Sequence, residues 1–490
     1  MKRASSGSCQ RGGLAFLVFA AILAVMLFPC RPSFASPAVS KTDVVIVGGG
    51  MAGLVAAYEL EQKGISCVIL EANDRLGGRV ATVDYGDGLL SEIGMHEIWE
   101  ACPLNDYVKK FNLPYSKSEE PYSSCILDGK VYPYVQDTFE EYLKTVLNPE
   151  EAKAFSDWRS ATEKIYDETV AEKLTPALEP LQKISFAKWV AGQNLPKKTA
   201  EFVRLTLECE IATDWSQVSA LYGIMQLRQF LHKTEKCRHI KGGNSKITSA
   251  FAAAIKGPKI LNARVTRIVR TLMPDNTVEV KVHYLLNNRM ECINSKAVVV
   301  AVSWNHLHSI QMEPTLSKQQ WDSVYSLTAG QYYVVHILLD TKANSLLKYD
   351  GKLPFPIISR GRLGVIYGVL EEPPAGQKLE VFTLLIHGDY ARTYLEPLDA
   401  MKKEYLAELE KIWPGFSKYV NAVYFYGYHP GATPAWPVGR SPIDAGTKSL
   451  HDPSLGLYLA GDYLYSSHVE GSVMAGRKVA AEIAKALKGK

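Results

Sequence analysis

The residues best placed to do chemistry are three glycines. Residues 48–53 read GGGMAG, so Gly48, Gly50 and Gly53 fall at the spacing G-x-G-x-x-G. Residues 43–48 read DVVIVG, a short apolar run ending at glycine, as a strand buried on both faces would. Gly48 permits a tight turn, Gly50 lets backbone approach a pyrophosphate, and Gly53 lets the next helix pack closely on the sheet. The helix that opens around Ala52 repeats apolar residues at Ala56 and Leu60, and the amides of its first turn are free to hold phosphate. A second strand, Ser66 to Leu70, ends at Glu71, eighteen residues after Gly53. An acid there bonds ribose hydroxyls and repels a 2′-phosphate. Glycines at this spacing also occur in plain turns; with both strands, the helix and the acid present, the unit predicts a dinucleotide site.

Two further stretches narrow the dinucleotide to FAD. After Glu71 come Arg75 and Gly77-Gly78-Arg79. A second glycine pair with an arginine suits a chain that doubles back along the same pyrophosphate, with Arg79 on a phosphate. Near the C-terminus, Gly456 to Asp462 reads as a short strand ending in Gly-Asp, and Val469 to Gly476 opens a helix that runs to about Leu487. A strand-end acid followed by a glycine-bearing helix start suits a long cofactor with a polyol chain. Asp462 would bond the ribityl or phosphate region, and the helix start would face the flavin ring. A flavin accepts a hydride at N5, so few protein acids or bases are needed. No nucleophile elbow, H-E-x-x-H or P-loop is present.

These residues resemble the flavin amine oxidase (monoamine oxidase-like) family. The carriers are VVIVGGGMAGLVAAYEL, LEANDRLGGRV and LYLAGDYLYSSHVEGSVMAGRKVA, with HIKGGN, ILNARVTRIV and AVVVAVSWNHLHSIQMEPTLS between them. The resemblance spans residues 42–490. It implies FAD contacts at Gly48, Gly53, Glu71, Arg79, Gly94, Met95, Val265, Asp462 and Val469. It also shows three departures. Where many family members carry a lysine that holds a water near the flavin, the register gives Val334, with His336 two residues on; Lys342 lies beyond the expected strand. Where some use two aromatic rings around the amine, His468 stands before Val469, and the other ring falls at Trp436. No cysteine follows Cys292, so FAD is expected to be non-covalent. His468, Trp436 and His336 are thus the candidate catalytic residues. Each also has a bland reading: a histidine bonded within a turn, an interdomain packing ring, a satisfied core histidine. His468 could titrate near neutral pH. Tyr332-Tyr333 either line the cavity or pack.

The whole chain positions these pieces as follows. Its 490 residues provide a large core, and 47% apolar with 22% charged residues exclude a disordered or polytopic membrane protein. The fold class expected is α/β, with a discontinuous Rossmann-type FAD-binding domain (42–99, 236–309, 416–490) interleaved with an α+β substrate-binding domain (100–235, 310–415). The helix-like stretch 136–235 is rich in Glu and Lys, most simply read as solvated faces. The formal charge of +4 belongs entirely to Lys2, Arg3, Arg11 and Arg31, so no nucleic-acid partner is expected. Those residues flank fifteen apolar residues, 14–28, followed by Ser33-Phe34-Ala35. This is the layout of a signal peptide (1–35) and predicts an exported protein, membrane-bound only if the segment stays uncleaved. Six cysteines remain beyond it, without a C-x-x-C pair, so no metal site is expected.

Three functional readings follow. The first is an FAD-dependent oxidoreductase that takes a hydride from the carbon beside an amine nitrogen of a small molecule, with oxygen as a candidate acceptor. The second keeps the fold and acts on an apolar polyene or porphyrinogen-like substrate as a desaturase or isomerase. The third is a flavin-bound partner-binding protein without turnover.

Overall fold

Short apolar runs build the central sheet. Val44–Val47, Cys67–Leu70, Ala297–Val300 and Leu457–Leu459 are buried along their whole length. With Lys259–Ile260 they form a five-stranded parallel sheet, in which Val44–Val47 lies between Cys67–Leu70 and Ala297–Val300. Lys259–Ile260 and Leu457–Leu459 are its two edges. All strands run the same way, so their carboxyl ends share one edge, where open α/β sheets bind ligands. The structure is a computed structural model and describes residues 39–116, 122–231, 236–369 and 376–488. The expected leader, 1–35, lies outside the described residues. No helix among the described residues is long and apolar enough to cross a membrane.

The helix Met51–Gln62 follows the first strand and packs against the last helix, Val469–Lys488. There a side chain in place of Gly476 would put its Cβ 2.6 Å from the Ala52 carbonyl oxygen, so glycine sets the close crossing. The C-terminal helix thereby closes the sheet that the N-terminal strand began. A hairpin sheet flanks it: Arg264–Leu272, Val278–Leu286 and Arg289–Ser295 form an antiparallel meander, and Gln311–Glu313 adds in parallel to Arg264–Leu272.

A second sheet has seven strands. Val420–Ala435, Thr328–Asp340, Leu379–His387, Val365–Gly368, Ile357–Ile358, Ser124–Leu127 and Lys130–Tyr132 succeed one another across it. Phe382, Trp413 and Phe416 pack in its core with Met401, Tyr405 and Leu409 of the helix Leu398–Ile412. Helices cover the remaining side. The longest of these, Pro149–Thr169, starts at an Asn148 capping box with Pro149 in its first turn. Two domain boundaries differ from the sequence expectation. Val420–Ala435, placed with the FAD domain by a boundary at 416, pairs along Thr328–Leu339 of the second sheet. Gln311–Glu313, placed with the substrate domain by a boundary at 310, pairs with Arg267–Val269. The reason is that strands are assigned by partners, and partners far apart in sequence leave no local signal.

Candidate active site

The glycine turn is shaped as its spacing requires. Gly48 has φ +103°, and a Cβ there would lie 2.6 Å from the Ala301 carbonyl oxygen. At Gly53 a Cβ would fall 2.0 Å from the Gly48 carbonyl oxygen. At Gly50 nothing lies within 4 Å of such an atom, so open space begins at the start of the helix. No side chain caps that start, which leaves the amides around Met51 and Ala52 for a ligand. Glu71 is buried at the end of its strand. Its carboxylate accepts the Gly49 N–H at 2.6 Å and the Asn73 N–H at 2.9 Å, so it sits directly beneath the loop. The Glu71 carbonyl accepts the Ala263 N–H, which brings Val265, buried at the head of its strand, alongside.

Arg79 and Asp462 meet across most of the chain. Arg79 Nη1 donates to Asp462 Oδ2 at 2.5 Å and to the Ala432 carbonyl at 2.7 Å. Burial works against the guanidinium charge, but the buried Asp462 carboxylate outweighs it and holds Arg79 above its ordinary value. Arg79 keeps 41% of its side chain accessible, so part of the guanidinium stays open to a ligand. The same segment carries Gly94 and Met95. The Met95 N–H donates to the Arg79 carbonyl, and a Cβ on Gly94 would lie 1.9 Å from that oxygen. Asn244, fully buried, donates from Nδ2 to the carbonyls of Met95 and His96 at 2.9 Å each.

Several buried polar atoms have no partner among the described residues: Ser303 Oγ and Asn305 Oδ1 just past the strand Ala297–Val300, Tyr463 Oη and Ser466 Oγ just past Leu457–Leu459, and Thr433 Oγ1 on the edge strand of the second sheet. A buried polar atom left unpaired costs roughly 1–3 kcal/mol, so such a concentration marks a space that a polar ligand fills. The turn, the carboxylate under it, the ion pair and these atoms fit FAD. Gly48, Gly50, Ala52 and Gly53 would take the pyrophosphate, Glu71 the ribose, and Arg79 with Asp462 the following phosphate and polyol. When bound, FAD supplies a two-electron acceptor.

Beyond Met95 the chain enters a second group of residues. His96 stacks on Tyr367 at 4.2 Å between ring centroids, with 4° between planes. The phenols of Tyr332 and Tyr367 are held well above their ordinary value, first by burial and then by the nearby charges of Glu97 and Glu210. Glu210 also raises Tyr222. Glu210, Tyr332 and Tyr367 are only partly buried, so each keeps some accessible surface. None of the described residues hydrogen-bonds the Glu210 carboxyl, and burial pushes it up to about 7. Cys209 Sγ lies 3.5 Å from His387 Nε2, but burial raises the thiol and lowers the imidazole, so both stay neutral and no thiolate nucleophile forms.

The family profile for flavin-containing amine oxidoreductases matches residues 51–484. The chain belongs to this family. As a family member it is an FAD-dependent oxidoreductase. It is 25% identical over 482 residues to the 15-cis-phytoene desaturase of Arabidopsis thaliana, covering 89% of this chain and 78% of the relative. It is also 25% identical over 315 residues to the probable polyamine oxidase 4 of the same plant, covering 61% of this chain and 58% of the relative. Cyclohexylamine oxidase from Brevibacterium oxydans superposes with a TM-score of 0.75 at 22% identity, covering 91% of this chain and 99% of the other. Putrescine oxidase with bound putrescine superposes equally well, at 20% identity and the same coverage. The α/β architecture with a Rossmann-type FAD sheet is that of the flavin-containing amine oxidoreductases.

Against this family frame the three catalytic candidates separate. His336 is a core histidine: it is fully buried, Nδ1 lies 2.8 Å from Tyr85 Oη, and Nε2 lies 3.0 Å from the Glu92 carbonyl. Burial pushes it down to about 4, and with both nitrogens taken it has nothing left for substrate. Trp436 is also a packing residue. Its indole is fully buried, donates from Nε1 to Thr447 Oγ1 at 2.9 Å and leans on Tyr222, so it offers no face to a ligand. His468 lies immediately before Val469, which opens the last helix, and its buried Nε2 has no partner among the described residues. Burial is the main cause that lowers it from its ordinary value. It also lines a cavity of about 230 Å³ together with Gln226, Arg228, Tyr465 and Glu470. Of the tyrosine pair, Tyr333 packs in the second sheet's core, while Tyr332 donates to the Cys209 carbonyl at 2.8 Å.

Sequence reasoning missed His96, Glu97, Glu210 and Tyr367. His96 and Glu97 had a signal, since they directly follow Gly94-Met95. Glu210 had none. Its helix, Lys197–Ile211, reads as an ordinary amphipathic segment, and its acids were expected to be solvated. Instead Glu208 is buried and accepts Arg204 Nε at 2.9 Å and Arg360 Nε at 2.6 Å.

Proposed function

We propose that this protein oxidises a small-molecule amine: the bound ammonium gives up a proton to the Glu210 carboxylate or to water, the carbon beside the neutral nitrogen then loses a hydride to the flavin and leaves an iminium ion, and oxygen takes the two electrons with two protons as hydrogen peroxide. The observation that carries this reading is the carboxyl of Glu210. It is only partly exposed, burial raises it to about 7, and it lacks a hydrogen-bond partner among the described residues. A buried carboxylate needs a counter-charge, and a protonated amine provides one. Glu97 and the phenols of Tyr222, Tyr332 and Tyr367 add polar wall to the same region. A polyene would leave the Glu210 carboxyl with neither a hydrogen bond nor a counter-charge.

The second reading, a desaturase on an apolar substrate, draws on the length of the match to phytoene desaturases and on Val334, buried in its strand where the family resemblance implies a lysine. One experiment separates the two. Purified protein is mixed anaerobically with a panel of amines, polyenes and porphyrinogens while flavin absorbance is followed. Bleaching by one or more amines is expected. Bleaching only by a polyene or porphyrinogen transfers the assignment to the second reading. We also propose export, on the apolar run and small-residue site of the N-terminal segment, and a non-covalent cofactor, since no cysteine follows Cys292.

A further inference from the structure

We propose that His96 is a substrate-contact residue, its unpartnered ring nitrogen forming the hydrogen bond that fixes the reacting nitrogen of the amine beside the cofactor. The proposal rests on the amine reading above and adds the residue that orients the substrate there.

Four observations carry it. First, His96 is 8% exposed and its Nε2 is buried with no partner among the described residues. A neutral imidazole that loses water from one nitrogen without replacing it is costly, so the site is built for a partner that arrives from outside the fold. Second, the ring is held still. It lies flat on Tyr367, and its own backbone carbonyl and that of Met95 are both tied to the Nδ2 of the fully buried Asn244. A fixed ring gives a directional bond at little entropic cost. Third, His96 directly follows Gly94-Met95, which touch the backbone of Arg79, the residue paired with Asp462 in the cofactor region. Fourth, Tyr367, on which it stacks, senses the charges of Glu97 and Glu210. His96 therefore stands between the cofactor segment and the acidic group proposed to hold the ammonium. Burial also keeps the imidazole neutral, so it serves as a hydrogen-bond partner and does not repel a cation.

The alternative partners for Nε2 are the flavin itself and a trapped water. The test uses the FAD-loaded protein, with His96→Leu and His96→Asn. Leu removes the hydrogen bond; Asn keeps a polar group in the same space. Amine affinity is read from perturbation of the oxidised flavin spectrum in anaerobic titrations, and FAD affinity from fluorescence recovery on dilution. For H96L the amine Kd should rise about tenfold or more, the loss of one hydrogen bond to a charged partner. FAD affinity and the ligand-free flavin spectrum should stay unchanged, and H96N should recover part of the amine affinity. An unchanged amine Kd in H96L overturns the proposal and identifies a water or a packing role. A weakened FAD Kd in both variants overturns it in favour of a flavin contact. If the wild type responds to amines and H96L matches it, only this proposal fails. If no amine perturbs the wild-type flavin, the amine reading fails and His96 falls with it.

Discussion

At the scale of single residues, the site divides into groups satisfied by the protein and groups that wait for a ligand. His336 and Trp436 belong to the first class, because every polar atom they carry has a partner nearby. Glu210 and His96 belong to the second. Glu210 gives a pH prediction with a definite sign. Burial raises its carboxyl to about 7, so below that pH it is protonated and cannot pair with an ammonium group. The kcat/KM for a cationic amine should rise with pH through about 7, and Glu210→Gln should flatten that limb while lowering the plateau about tenfold or more. Stopped-flow reduction across pH 5 to 9, roughly two units either side, measures both. A limb that survives in E210Q would assign the titration elsewhere.

At the scale of elements, the site depends on where the helix Lys197–Ile211 ends. Ala212 turns left-handed at φ +52° and stops it. The Gln331 N–H donates to the Ala212 carbonyl, and Tyr332 donates to the Cys209 carbonyl, so the strand Thr328–Asp340 docks on the helix end that carries Glu210. Gly330 makes the docking possible, since a Cβ there would lie 2.2 Å from the Ile211 carbonyl oxygen and 2.3 Å from Thr433 Oγ1. Gly330→Ala must push apart the helix end and the strand Val420–Ala435. The expected cost is about 1–3 kcal/mol of stability, with a raised KM for amine and unchanged FAD content. Urea unfolding and steady-state kinetics test it. Wild-type KM together with wild-type stability would show that this junction tolerates bulk and does not set Glu210. None of this junction was legible beforehand. Helix and strand lie more than a hundred residues apart in sequence (Glu210 against Gly330), and the acids of the helix looked solvated because an amphipathic pattern does not say what covers its polar side. The dinucleotide unit was legible because its strand, turn, helix and acid are contiguous and each has a steric reason.

At the scale of the whole molecule, the chain crosses between two sheets several times. The FAD sheet takes strands from the beginning, middle and end of the chain, and Val420–Ala435 returns to the second sheet before Leu457–Leu459 closes the first. Arg79 shows the consequence: one guanidinium holds a carbonyl from the second sheet's edge strand and a carboxylate from the C-terminal segment. The proposed export also belongs to this scale. All four excess positive charges precede residue 36, so a chain cleaved after Ala35 would begin at Ser36 and carry equal numbers of acidic and basic side chains. Mass spectrometry of the protein recovered from its native host should find that N-terminus, or Val39 from cleavage after Ala38. An intact Met1 on a membrane-bound protein would mean that the segment is an anchor.

The sequence by itself determined the cofactor, the family and the shape of the glycine turn, and it named Glu71, Arg79 and Asp462 as the groups expected around it. Those features rest on local backbone geometry, where a few adjacent residue types leave one workable shape. Only the tertiary structure decided which polar groups remain unsatisfied. His96 directly follows Gly94-Met95 and His336 lies within an apolar strand, but neither setting says which ring nitrogens find a partner. Tyr85 and the Glu92 carbonyl reach both nitrogens of His336, whereas Nε2 of His96 is left without a partner among the described residues. Desolvation and hydrogen bonding act on neighbours in space, so the substrate side of the site existed only once the two sheets and the helix end had met.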